Sequence, residues 1–63
     1  MEILLKTWIR KNDLKEQEKN MFIQHYKDNE NVVILCGNRN LEYKITSIDK
    51  DNIYLEFTGN IYK

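Results

Sequence analysis

Hydrophobic and polar residues change their spacing once along this chain, near Asn31. Ahead of that point Leu14, Glu18, Met21, Phe22, His25 and Tyr26 share one face at helical spacing, while Lys15, Lys19, Lys27 and Asp28 lie mainly off it. This predicts an amphipathic helix of about four turns. Asp13 stands where its N-cap belongs, with Glu16 three residues on in a box-like pattern. Asp28, Asn29, Glu30 and Asn31 end it with poor helix formers. Residues 2–10 fit two patterns. Ile3, Leu5, Thr7 and Ile9 alternate with Leu4, Lys6, Trp8 and Arg10 as a strand would, yet Leu4, Leu5, Trp8 and Ile9 also make a helical stripe. With no Gly, Pro or β-branched run to decide, the segment is read as helix.

Beyond Asn31 the period shortens to two. Val32, Val33, Ile34, Leu35 and Cys36 form a continuous apolar run, the pattern of a strand buried on both faces. Gly37, Asn38, Arg39 and Asn40 have turn chemistry. Leu41, Tyr43 and Ile45 alternate with Glu42, Lys44 and Thr46; after a second turn at residues 49–52, Ile53, Leu55 and Phe57 alternate with Tyr54 and Glu56. Thr58, Gly59 and Asn60 read as a further turn, leaving Ile61, Tyr62 and Lys63 as a short last strand. The prediction is an α+β fold in a single domain spanning residues 1–63. Residues 1–30 are mainly helical, and residues 31–63 form a small antiparallel SH3-like or Sm-like β-barrel or sheet.

Composition narrows the function classes. Hydrophobic residues at 41% and charged residues at 32% are an ordinary globular mix, so the chain is expected to fold. Ten basic residues balance ten acidic ones. Bulk electrostatic attraction to nucleic acid is therefore excluded, and any such binding needs charges sorted onto one face. No apolar stretch approaches the ~18 residues of a membrane span, and no signal peptide opens the chain. Cys36 is the only cysteine, so no internal disulfide forms, and its apolar flanks fit a reducing cytoplasm. A domain this small without staples has a core supplying only about 3–5 kcal/mol, and an open strand edge tends to pair, so a homo-oligomer is expected.

Catalysis has little to work with. The single histidine, His25, lies on the apolar face of the predicted helix, and Cys36 closes an apolar strand with no base or oxyanion site indicated beside it. Asp49 and Asp51 read as turn formers rather than as a carboxylate pair, and no metal-ligand spacing or phosphate loop is present. The expectation is a non-enzyme without cofactor or metal. Tyr43 and Tyr54 fall on neighbouring predicted strands, where they either stabilise the sheet as an aromatic pair or offer a stacking platform for bases. Lys44, Lys50 and Lys63 flank the same hairpins.

The stretch from residue 32 to 57 resembles the opening segment of the bacterial Hfq proteins, members of the Sm-like family. The matching features are Ile34, Leu35 and Cys36, the Gly37-Asn38 turn, Leu41 and Ile45, Ser47-Ile48-Asp49, and Ile53-Tyr54-Leu55. A predicted helix with Phe22, Ile23 and Gln24 precedes them, and terminal Ile61-Tyr62-Lys63 is similar to the family's Val-Tyr-Lys. The chain departs from the family at Tyr43, where a glycine bends the second strand, and at Asp51, which replaces a base-stacking aromatic. The resemblance implies single-stranded RNA binding by a homo-oligomer, with Lys63 and Lys50 near phosphates. Tyr43, Tyr54 and Lys44 are added from the strand pattern. The rival reading is a protein-interaction module, an inhibitor or adaptor that would meet its partner around Trp8 and Ile9. Because Leu4, Leu5 and Ile9 accompany it, Trp8 is expected to be buried at home or in self-association.

Overall fold

Strict alternation of apolar residues in the second half of the chain dictates sheet. In the structure, a computed structural model describing residues 3–62, that sheet is the frame to which everything else attaches. The elements run β1 (Lys6–Arg10), a single 3₁₀ turn (Lys11–Asp13), α1 (Glu16–Lys27), β2 (Val32–Cys36), β3 (Arg39–Ile48) and β4 (Asn52–Tyr62). Four antiparallel strands lie in the order β1-β4-β3-β2 and curl into half a barrel. The α+β character and the antiparallel sheet agree with the sequence pattern.

The inner face of the sheet holds the core. Leu41, Tyr43 and Ile45 of β3 face Ile53 and Leu55 of β4, and Phe22 of α1 and Val32 of β2 close over them. Ile53 is wholly inaccessible to solvent, and Ile9, Leu14, Ile34, Cys36, Ile48 and Phe57 pack around this cluster. Tyr43 is only 5% exposed, with its ring tilted against Phe57 at 5.6 Å between centroids. Its buried hydroxyl is satisfied by donating to the Leu4 carbonyl oxygen at 2.9 Å, which ties the residues before β1 to the centre of the sheet.

Several expectations are corrected. Residues 6–10 form a strand, not a helix, and the helical share of residues 1–30 reduces to α1 and the 3₁₀ turn. The strand wins because Thr7 and Ile9 can turn towards the core while Lys6, Trp8 and Arg10 stay outside, and β4 offers a free edge to pair with. Residues 1 and 2 lie outside the described residues. Helix α1 is capped two residues later than Asp13, at Lys15: Glu18 accepts a hydrogen bond from the Lys15 backbone N–H at 3.0 Å, and Asp13 instead lies 3.5 Å from Arg10. Strand β2 is buried on one face only. It ends the sheet, and Val33 and Leu35 point outward, 55% and 69% exposed.

The supposed turn at Thr58, Gly59 and Asn60 is a wide bulge inside β4, so Ile61 and Tyr62 continue that strand. Leu41 pairs with Ile61 and Tyr43 with Phe57, leaving Glu42 alone opposite Thr58, Gly59 and Asn60. Gly59 takes φ 100°, a conformation other residues adopt at a penalty. The Glu42 carboxylate holds the bulge, accepting from Thr58 Oγ1 at 2.6 Å, Asn60 Nδ2 at 2.7 Å and the Tyr62 hydroxyl at 3.2 Å. A second irregularity leaves Thr46 unpaired between Ile45–Leu55 and Ser47–Tyr54.

Two substitutions test this core. Ile53→Ala removes side-chain volume where no solvent reaches and is expected to destabilise by about 2–5 kcal/mol, comparable to the whole stability of so small a domain. Tyr43→Phe removes only the bond to Leu4 and is expected to remove about 1 kcal/mol, lowering the melting temperature by roughly 4–8 °C. Thermal unfolding followed by circular dichroism measures both.

Candidate binding surface

Antiparallel register places directly opposed residues on the same face, so the outer surface of the sheet can be read row by row. One row runs Trp8–Tyr54–Ser47 across β1, β4 and β3, and the next runs Lys6–Glu56–Lys44. Arg10 stands opposite Asn52 at the end of β1. Lys6, Thr7, Trp8, Thr46, Ser47, Tyr54, Leu55 and Glu56 line a shallow depression of ≈ 350 Å³. Along β1 itself the outward residues read cation, aromatic, cation: Lys6, Trp8, Arg10.

Trp8 is 61% exposed, which corrects the expectation that it is buried at home. The cause is parity. Ile9 and Thr7 occupy the inward positions of β1, so Trp8 between them must face out. By the same rule Ile9 packs against the core and is not a surface anchor. Leu4 and Leu5, which precede the strand, are exposed as well.

The proposed base-stacking pair is separated by the sheet. Tyr43 faces the core and Tyr54 the outer surface, so Tyr43 offers no ring face to a ligand. Lys44 and Tyr54 do share the outer face with Trp8, Lys44 with Glu56 as its cross-strand partner. Lys50 is exposed in the turn between β3 and β4, and Lys63 lies outside the described residues. Sequence reading missed Lys6, Thr46, Ser47 and Glu56 as neighbours of Trp8. The alternation in residues 3–10 was the available signal, because reading it as a strand turns Lys6 and Trp8 to the same side.

The Asp49 carboxylate organises the turn between β3 and β4, beside Tyr54. Oδ1 accepts from the backbone N–H groups of Asp51 (2.9 Å) and Asn52 (2.7 Å), the turn-forming role expected from sequence. Oδ2 accepts from the Tyr54 hydroxyl at 2.7 Å, which anchors the outer end of that side chain. The Tyr54 bond, followed by the two backbone N–H groups, holds the Asp49 carboxyl below its ordinary range; the same bond raises the Tyr54 phenol. Glu42 is likewise lowered, chiefly by the Thr58 hydroxyl and the Asn60 amide. Burial raises the Tyr43 phenol.

Elsewhere, the Nδ1 of His25 on α1 is buried without a hydrogen-bond partner, and Cys36 is a half-buried free thiol on β2. Among the described residues no group of three or more His, Cys, Asp or Glu side chains is placed to hold a metal ion, and no helix is long and apolar enough to cross a membrane. Comparison with protein-family models, curated proteins and solved structures finds no match.

The lowered carboxylates give a signed pH dependence. Unfolded Asp and Glu titrate near ~4, and Asp49 and Glu42 titrate below their ordinary values in the folded chain. The unfolded chain therefore binds protons more readily in that interval. The stabilisation from both carboxylates is present above the unfolded values and is lost as pH falls through the folded ones. Melting temperatures from about pH 6 down to about pH 2 are expected to decline less steeply in Glu42→Gln/Asp49→Asn than in the parent chain.

Proposed function

We propose that the protein is a small non-catalytic protein-interaction module that receives an extended segment of another protein along β1 and the outer face around Trp8. The observation that carries this reading is a tryptophan 61% exposed on a terminal strand of the sheet. Tryptophan is the side chain most often found to dominate an interface, and a terminal strand offers backbone hydrogen-bonding groups to an added strand. Because Lys6 and Arg10 flank Trp8 at two-residue spacing, the complementary segment presents an apolar side chain with acidic ones two residues to either side. The net charge of zero fits recognition by such a local pattern, since no overall field draws in a polyanion.

Single-stranded RNA is the second reading, favoured by the Trp8–Tyr54 row with Lys6 and Lys44 beside it. It keeps Tyr54 and Lys44 from the sequence analysis and replaces Tyr43 by Trp8. We also read the half barrel, with its helix ahead of the β2–β3 hairpin, as an SH3-like or Sm-like variant. The support for that is the order of elements and the residues from Ile34 to Leu55 that resemble the family.

Trp8 is the only tryptophan, so its fluorescence reports directly on the surface. Peptides selected from a random library and carrying the acidic–apolar–acidic pattern are expected to shift that emission on titration. Trp8→Ala is expected to leave stability within about 0.5 kcal/mol and to weaken binding by ~2 kcal/mol or more. Steeply salt-dependent binding of A-rich or U-rich oligonucleotides, lost in Trp8→Ala, would establish the second reading instead. Binding of neither, or binding indifferent to Trp8, would overturn both.

A further inference from the structure

The two ends of the sheet are chemically unlike. Strand β1 carries Lys6 and Arg10, the kind of charge that keeps a sheet end from pairing indiscriminately. Strand β2, at the other end, reads Val-Val-Ile-Leu-Cys: no charge, no proline, and no bulge in its register with β3. Val33 and Leu35 on its outer side are among the most exposed apolar residues of the chain. We infer that β2 pairs with β2 of a second copy of this chain, antiparallel about a twofold axis through Ile34, to make one continuous sheet across two molecules.

The local geometry fits that partner. Gly37, at φ 66°, takes the first central position of the two-residue turn joining β2 to β3, the position that a type II′ hairpin reserves for glycine. Such a turn is flanked by a hydrogen-bonded pair, here Cys36 and Arg39. Because bonded and non-bonded pairs alternate, the backbone groups of Cys36, Ile34 and Val32 point towards β3, and those of Val33 and Leu35 point out of the sheet. Pairing about Ile34 sets Val33 of one copy opposite Leu35 of the other, twice over. Each pair exchanges its outward backbone hydrogen bonds and sets the two exposed apolar side chains against one another. On the inner face Val32 meets Cys36, so the free thiols are not opposed.

Charge agrees with the antiparallel sense. Asp28 and Glu30 precede β2 and Arg39 follows its turn, so a twofold axis brings the acidic approach of one copy towards the basic exit of the other. With a net charge of zero, no long-range repulsion keeps two copies apart. A five-residue edge buries far less than the ~800 Å² per partner of a standard interface, so the pairing is a concentration-dependent equilibrium and not a permanent dimer.

The register makes the test specific. Sedimentation equilibrium from low micromolar to submillimolar chain is expected to show the mass rising from 7.7 kDa towards twice that value. Val33→Lys/Leu35→Lys sets like charges across both rows and is expected to abolish association. Val33→Lys/Leu35→Glu sets opposite charges there and is expected to restore it. Both positions are exposed, so both variants are expected to melt like the parent. Trp8→Ala, which alters the other end of the sheet, is expected to associate normally. A parent chain monomeric throughout, equal behaviour of the two charge variants, or loss of association in Trp8→Ala would each overturn the inference.

Discussion

Burial of Ile53 and Leu55 is the constraint from which the rest of the arrangement follows. These two residues of β4 have almost no solvent contact, and β4 is the strand shared by β1 and β3. Sheet periodicity is two, so fixing them inward fixes Tyr54 and Glu56 outward. The same register fixes the neighbours: Ile9 pairs with Ile53 and goes inside, while Trp8 pairs with Tyr54 and goes outside. A slip of one residue in β1 would turn Lys6 and Trp8 inward and Ile9 outward. The outer face around Trp8 is therefore the unavoidable reverse side of the core.

Carboxylates decide the shape of that sheet where hydrophobic pattern alone does not. Glu42 gathers three side chains of β4 and allows three residues to bulge against one. Asp49 closes the β3–β4 turn and reaches the Tyr54 hydroxyl. The bulge lets one strand run from Asn52 to Tyr62 while the sheet curls. Both carboxylates act through hydrogen bonds to their charged form, so the geometry of the outer face depends on their ionisation. Ionic attraction contributes little by comparison: among the described residues the two ion pairs join side chains three residues apart, and only Lys19 of the four is half-buried.

The strands of the second half were legible because Leu41, Tyr43, Ile45, Ile53 and Leu55 alternate without interruption. The helix was legible because Phe22 and its neighbours repeat at helical spacing. Residues 6–10 were not, since Trp8 and Ile9 fit either period and only β4, distant in sequence, selects the strand. Thr58, Gly59 and Asn60 carry the same residue types in a bulge as in a turn, and the arbiter, Glu42, sits on another strand. For the surface, Lys44 and Tyr54 were found as outward residues of the sheet. Trp8 was found as a candidate anchor, expected to be buried at home or in self-association; burial at home fails because a cluster of apolar letters says nothing about which of them can turn inward together. Tyr43 failed as a stacking residue for the complementary reason. A tyrosine at an inward position is buried with its hydroxyl satisfied by a single backbone carbonyl, here that of Leu4, and the sequence does not announce that partner.

Folding accounts for the inward set of apolar residues and leaves the outward set unaccounted for. Scattered apolar side chains on a surface are ordinary and require no explanation. Rows are different. Trp8 sits between two cations on one terminal strand, and Val33 and Leu35 stand side by side on the other, which carries no charge at all. Polar residues at those outward positions would leave the core unchanged and the domain more soluble. Each terminal strand also has backbone groups that the sheet itself leaves unpaired. Apolar side chains and open backbone thus coincide at both ends of the sheet, in two different chemistries. The row of β1 that we propose receives another protein is basic and aromatic, whereas the row of β2 that we propose pairs with its own copy is uncharged. A domain with so small a core gains from contact at either end, because each buries apolar surface that its own fold must leave in water.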